Sequence, residues 1–340
     1  MEERPIGLRQ VVAPVAKFTG LARLLEWCTN ARNVVVTFHR VYRQPADRGR
    51  FDSCPAVPVA FFRECLRYFK QKYEVVPLTE LIGTSASRRP RLAVTFDDGW
   101  RDNYEVAFEI LQEFAVPATI FMTVGKLADK QPFWQQRLGK FFHKAQEQPN
   151  GPLTGTVRAM IGANRSEPLD VDRYFKVVTA WKSFGQARIN ALLQPLEGAY
   201  PETEECRRLF LKEDELRELA RNDVTIGSHT MTHPILTQET PEVVDWELRQ
   251  SKASLEKILG SKVDLLAYPN GACSPALAKK AAACGYRLAC TTREGTVDRE
   301  TDMTCLPRID VGWDRFMYRS GSFSAGLFQI DLMRALRSQP

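Results

Sequence analysis

The chain has 340 residues, 44% hydrophobic and 26% charged, with 47 Lys and Arg against 41 Asp and Glu. That composition excludes a mainly disordered chain, and no apolar run reaches the roughly 18 residues of a transmembrane helix. The net charge of +6 permits an anionic partner without demanding one. Eight cysteines include no Cys-x-x-Cys pair, which argues against a zinc ribbon or a dithiol redox motif. Buried thiols in a reducing compartment suit them better than a disulfide framework. The acidic opening Met1-Glu2-Glu3 lacks the basic-then-apolar pattern of a signal peptide and predicts a cytoplasmic location.

Residues 7–30 carry Leu8, Val11, Val12, Val15, Phe18, Leu21, Leu24 and Leu25 near helical spacing, interrupted by Pro14 and Gly20. The first 50 residues hold nine Arg or Lys against four Asp or Glu. This basic segment predicts either a helix covering the core or peripheral contact with an anionic inner membrane face, with residues 326–336 as a second contact. From residue 33 strand and helix alternate. Strands are predicted at Val34–Phe38, Tyr73–Pro77, Leu92–Phe96 and Ala118–Val124, and helices at Pro58–Gln71 and Asn103–Phe114. Residues 130–205 break the alternation and read as a helical insertion, with a helical patch at Arg173–Ser183. Its Trp134, Phe141, Phe142, Tyr174 and Trp181 fit a small core better than a sugar-stacking face. Alternation then resumes: helix Leu211–Arg221, strand Val224–Ser228, helix Glu242–Leu259, strand Asp264–Ala267, helix Ala276–Cys284, and strands Tyr286–Thr291 and Thr304–Ile309. This order predicts an α/β fold with a mainly parallel sheet, open or closed into a barrel.

Two clusters end predicted strands, the edge where parallel sheets bind ligands. Thr95-Phe96-Asp97-Asp98-Gly99 offers two carboxylates, one able to bind a metal and the other to move a proton. Alone, it also fits a turn capping a helix that starts near Asp102. Ser228-His229-Thr230-Met231-Thr232-His233-Pro234 holds two of the four histidines. Their spacing puts both rings on one face if the segment is helical. Thr230 stands where the zincin motif has Glu, so that reading fails. Together the clusters describe two His and one Asp with an open position for water, the layout of a catalytic zinc site. Such a metal lowers the pKa of its water to roughly 7.

These two motifs resemble the first two of the polysaccharide deacetylases, the NodB-homology group or carbohydrate esterase family 4. The resemblance implies Asp97 as general base and Asp98, His229 and His233 as metal ligands. Leu266-Ala267-Tyr268-Pro269-Asn270-Gly271 resembles the family's third motif in its Phe-Ala-Tyr-Pro-x-Gly form. It implies a substrate groove lined by Tyr268, Pro269 and Asn270, with the Asn270 N–H holding the oxyanion. The resemblance covers about residues 33–125 and 206–310 and implies a distorted (β/α)7-type barrel with a mostly helical insertion. The organisation expected is an N-terminal helical segment (1–32), a barrel (33–129 and 206–313), an insertion near the active site (130–205) and a C-terminal tail (314–340). Two departures stand out. Ala267 occupies the position of the Arg that braces the base, and Arg308 is the candidate replacement. No histidine follows His233, so the usual late acid is missing. Some members carry that acid on an early strand, and Thr37-Phe38-His39 fits that form, which makes His39 the candidate acid. His143, in the insertion, is expected to be structural or exposed.

The expected function is removal of an N-acetyl group from an N-acetylhexosamine in a glycan or lipid-linked sugar, with Zn²⁺ as the metal and Co²⁺, Ni²⁺ or Mn²⁺ as alternatives. Alternatives on the same scaffold are an amino-sugar deformylase, a ureide hydrolase or a non-catalytic glycan-binding relative. No nucleic-acid motif is present, and nucleic acid is not an expected partner.

Overall fold

Short runs rich in Val, Phe and Thr become the strands that organise the molecule. The computed structural model describes residues 32–44, 51–82, 89–127, 131–200, 208–318 and 321–337; the helix expected over 7–30 lies outside them. The strands are β1 (Val34–Phe38), β2 (Arg40–Tyr42), β3 (Ala56–Pro58), β4 (Glu74–Val75), β5 (Arg91–Phe96), β6 (Ala118–Met122), β7 (Val224–Ser228), β8 (Leu265–Ala267), β9 (Leu288–Cys290) and β10 (Ile309–Asp310). The large sheet runs β10-β1-β5-β6-β7-β8-β9, with β4 also on β5, and its pairings are parallel. Register runs from Val34 opposite Leu92 to Phe38 opposite Phe96, and from Ala118 opposite Val224 to Met122 opposite Ser228. β1 and β6 are buried throughout, as strands covered on both faces must be.

The sheet curls back on itself. Leu306 bridges Cys290 in parallel, and Ile309 lies opposite Val36 of β1. Residues 306–310 thus span the gap between the two ends of a distorted (β/α) barrel. The strand expected at Thr304–Ile309 is broken here because Pro307 has no N–H to give a ladder. β2 and β3 form a separate parallel pair, three residues each and too short for periodicity to reveal.

The helices are α1 (Val59–Lys72), α2 (103–113), α3 (Trp134–Glu147), α4 (Pro152–Ile161), α5 (Val171–Trp181), α6 (Gln186–Ala199), α7 (Glu213–Ala220), α8 (Pro241–Leu259), α9 (Pro275–Ala283), α10 (Trp313–Phe316) and α11 (Ala325–Arg337). The first six residues of α2 are wound as a π-helix. Local signals set the ends. The Thr240 hydroxyl accepts the Val243 N–H, Pro241 opens α8, and Gly260 ends it at φ 66°. Asp170 caps α5 by accepting the Arg173 N–H at 2.8 Å.

α3 to α6 build their own core from Trp134, Leu138, Phe141, Phe142, Tyr174 and Trp181. At about 1.5–3 kcal/mol for each large apolar side chain buried, these aromatics hold the insertion together. Leu327, Phe328 and Leu332 of α11 are buried in the main core, where Phe328 meets Tyr68 and Phe69 of α1. The buried apolar residues of 326–336 therefore face the barrel. Among the described residues no helix is long and apolar enough to cross a membrane.

Candidate active site

The carboxyl edge of the sheet gathers the chemistry. β5 ends in a reversal at Asp98 (φ 76°) and Gly99 (φ 78°). A Cβ on Gly99 would come within 2.0 Å of the Met122 sulfur, so the turn needs glycine twice over. The non-glycine positive φ at Asp98 is a strained conformation of the kind found where a side chain must be aimed. One carboxylate oxygen of Asp98, Oδ2, accepts the Trp100 indole N–H at 2.8 Å and the Cys54 thiol at 3.9 Å. The other, Oδ1, lies 3.4 Å from Nε2 of His229 and 3.4 Å from Nε2 of His233.

The two histidines are not on a helix. β7 delivers His229, and the chain turns through positive φ at Thr230 (66°) and His233 (67°). The Met231 and Thr232 N–H groups both donate to the buried Glu247 carboxylate, at 2.7 and 2.9 Å. Nδ1 of His229 is 2.7 Å from the Ala267 carbonyl. A carbonyl only accepts, so Nδ1 carries the proton and Nε2 offers its lone pair inward. Phe133 packs against His233 with ring centroids 4.5 Å apart. Ligand atoms of Asp98, His229 and His233 all lie within 4.8 Å of one another. Three inward donors, one carboxylate and two imidazoles, with the carboxylate's far oxygen and the His229 Nδ1 already anchored, fit a divalent metal of the zinc type.

Burial opposes ionisation of Asp98, but His229 and His233 hold its carboxyl far below the usual range. His233 is lowered to about 3, by burial first and by His229 second, which keeps it neutral as a ligand must be. His229 is pushed down by burial, but Asp97 and Asp98 outweigh that and raise it.

Asp97 is gripped by Arg308 through two parallel bonds of 2.7 Å. The guanidinium is fully buried (0%). It is cradled by the Thr291 carbonyl at 2.8 Å and by the hydroxyls of Thr37 and Thr95 at 3.1 and 3.3 Å. Burial works against the Asp97 carboxylate, yet Arg308 beside it holds the pKa below the ordinary value. Arg308 thus lies against the Asp97 carboxylate from the closing segment, while the Ala267 position contributes only its carbonyl.

His39, Asp97, Asp98, His229, His233 and Asn270 line one cleft. Asn270 sits at φ 57°, and its carbonyl accepts the Thr292 hydroxyl at 3.1 Å. Tyr268 is buried, with its hydroxyl donating to the Thr304 carbonyl at 3.0 Å. Pro269 is buried at the start of the same turn. His143 is elsewhere, on the exposed side of α3 beside Glu147. Asp102, just before α2, accepts from Arg40 at 2.9 Å and from the Val41 N–H at 3.2 Å. Sequence reasoning missed Trp100, Cys54 and Glu247. Trp100 directly follows the Asp-Asp-Gly turn and could have been suspected; the other two carry no local signal.

A curled parallel sheet with an acidic turn and two histidines at its carboxyl edge defines an α/β scaffold whose Asp98, His229 and His233 could together hold a metal ion. A family model described as polysaccharide deacetylase matches residues 84–289, and the chain belongs to that family. YxkH of Bacillus subtilis (strain 168), named for the same family, is 22% identical over 218 residues. The match covers 64% of this chain and 50% of that relative, so the chain spans about half the length of the curated relative. Among solved structures, the Streptococcus pyogenes deacetylase PplD in complex with acetate has a TM-score of 0.55 at 17% identity, covering 92% of this chain and all of that one. IcaB from Ammonifex degensii has a TM-score of 0.55 at 17% identity, covering 88% and 96%. A de-N-acetylase from Aggregatibacter actinomycetemcomitans has a TM-score of 0.53 at 15% identity, covering 82% and 94%. These likenesses concern the fold.

Proposed function

We propose that this chain is a metal-dependent hydrolase that removes the N-acetyl group from an N-acetylhexosamine unit of a glycan or lipid-linked sugar. The observation that carries the reading is the placement of an Arg-braced Asp97 next to the Asp98, His229 and His233 donors, in one cleft with His39. The names of the solved relatives support it: one is a de-N-acetylase, and another holds acetate, the acid that deacetylation releases.

Asp98, His229 and His233 would hold the metal, with Zn²⁺ the best match to the donor set. A metal there supplies Lewis acidity for the acetamide carbonyl and eases deprotonation of water. Asp97 takes the proton from the attacking water. Each of its oxygens keeps a lone pair beyond the one used by Arg308. The Asn270 N–H donates to the oxygen on which negative charge develops. His39 gives a proton to the departing amine, whose expulsion as an anion is prohibitive in water.

The test compares metal content and acetate release from an acetylated hexosamine oligomer. Asp98→Ala, His229→Ala and His233→Ala are each expected to lose both while keeping the fold by circular dichroism. Wild-type metal content in all three would overturn the ligand assignment.

A further inference from the structure

Cys273 and Cys305 are 32 positions apart, and their sulfur atoms lie 3.1 Å from each other. Both are partly exposed, whereas Cys54, Cys65, Cys284 and Cys290 are buried. Cys273 follows the Pro269–Gly271 turn and precedes Ser274, whose hydroxyl caps α9 by accepting the Leu277 N–H at 3.2 Å. Cys305 closes a turn in which its own N–H donates to the Asp302 carbonyl at 3.0 Å and Asp302 Oδ1 accepts the Thr304 N–H at 2.8 Å. The two turns are already tied by the Tyr268 hydroxyl on the Thr304 carbonyl. The backbone that presents the two sulfurs is therefore fixed on both sides.

We propose that Cys273 and Cys305 form an intramolecular disulfide when the protein meets an oxidising thiol–disulfide pool, and that this bond staples the Tyr268–Gly271 turn. A thiolate of the pair attacks a small external disulfide such as oxidised glutathione, forming a mixed disulfide and releasing one glutathione. The second cysteine thiolate then displaces the other glutathione. One external disulfide and two cysteine thiols thus become one protein disulfide and two external thiols. The sulfurs need to approach by about 1 Å to reach bonding distance. Burial, then the Cys305 contact, pushes the Cys273 thiol up to about 12, so closure quickens as pH rises because only the thiolate attacks. The bond would join the turn carrying Asn270 to the segment that leads into Arg308. Neither sulfur lines the cleft, so the bond acts as a brace and leaves the reacting groups untouched.

The experiment equilibrates the full chain in oxidised glutathione, alkylates it unfolded and measures intact mass and a peptide map. Two of the eight thiols are expected to escape alkylation, in a single cross-linked peptide pair holding Cys273 and Cys305. The Tm should rise by about 4 °C and return with dithiothreitol, and kcat on an acetylated oligomer should stay within about twofold of the reduced protein. Cys273→Ser and Cys305→Ser should each abolish the cross-link and the Tm shift. Glutathione adducts persisting on both cysteines, a cross-link elsewhere or an unchanged Tm would overturn the proposal. The wild-type peptide map decides the pairing even if a variant fails to fold, and no step of it depends on how the cleft works.

Discussion

Asp97 and Arg308 occupy a position where structure and chemistry compete for the same carboxylate. Both are buried, and removing one partner of such a pair typically costs about 3–5 kcal/mol because the other charge is stranded. Asp97→Asn should therefore lose turnover by about 10²–10⁴-fold and also lower the Tm, with metal content unchanged. The double variant Asp97→Asn/Arg308→Met should recover Tm without recovering turnover, which separates the two roles; turnover returning with stability would show that Asp97 is only structural. The pH sign follows from the depressed Asp97 pKa. The pair's stabilisation is fully present above the unfolded carboxyl value of about 3.9 and is lost as pH falls through the lower folded value. The Tm gap between wild type and Asp97→Asn should shrink only in that acid window. His39→Ala should keep metal, lower kcat by about 10²-fold or more and remove the high-pH limb of the rate profile; an intact limb would place the acid elsewhere. That Asp97, Asp98, His229, His233 and Asn270 would come together at one cleft was legible because short motifs name them. Trp100, two positions after Asp98, was within local reach of the motif, whereas Cys54, which meets the same carboxylate oxygen from 44 positions away, leaves no trace in local order.

Loops and caps decide what the strands deliver. The His-x-x-x-His spacing suggested a helical face, but the segment turns twice through positive φ and relies on Glu247 of α8 to hold it. That carboxylate takes the N–H groups of Met231 and Thr232, and the Thr232 hydroxyl as well. Glu247→Ala should weaken metal affinity by about 10–100-fold, the range for a residue that orients ligands without touching the metal. Glu247→Gln, which keeps an acceptor for the two N–H groups, should lose much less. Equal losses in both variants, read by competition with a chelator, would mean that charge and not loop geometry is at work. Burial raises the Glu247 pKa even though the Thr232 and Met231 bonds pull it down. On acidification its grip is thus lost at a higher pH than an ordinary glutamate's. The alternation of strands and helices was readable because the buried strands fall in short, mostly apolar runs such as Val34–Phe38, Ala118–Met122 and Leu265–Ala267. β2 and β3, three residues each, were not, while the strand expected at Thr304–Ile309 survives as the Leu306 bridge and β10.

At the scale of the whole molecule, the helical unit of α3 to α6 brings Trp134, Gln135, Gln136 and Lys182 to the same cleft as His39, Asp97, Asp98, His229 and His233. Burial lowers the Lys182 pKa, a cost that an anionic group on the substrate would offset. Lys182→Ala should raise KM about tenfold for an acidic glycan, as expected for one charged hydrogen bond, with kcat and the KM for a neutral oligomer unchanged. A kcat effect would instead place Lys182 in the chemistry. That the insertion is helical was legible from composition; that one of its lysines lies along the cleft was not, since docking of one core on another is set by shape. The seam between β9 and β1 has one more consequence, which concerns birth rather than catalysis. The Asp97–Arg308 contact joins residues 211 positions apart. At about 5–20 residues per second, a ribosome would need some 10–40 s to travel from one to the other. Throughout that interval β1 lacks its neighbour β10, and Asp97 has no guanidinium to meet. The nascent chain thus carries an open sheet edge and an unmatched acid until residues 308–310 emerge, and Asp97 meets its guanidinium in the same late event that closes the barrel.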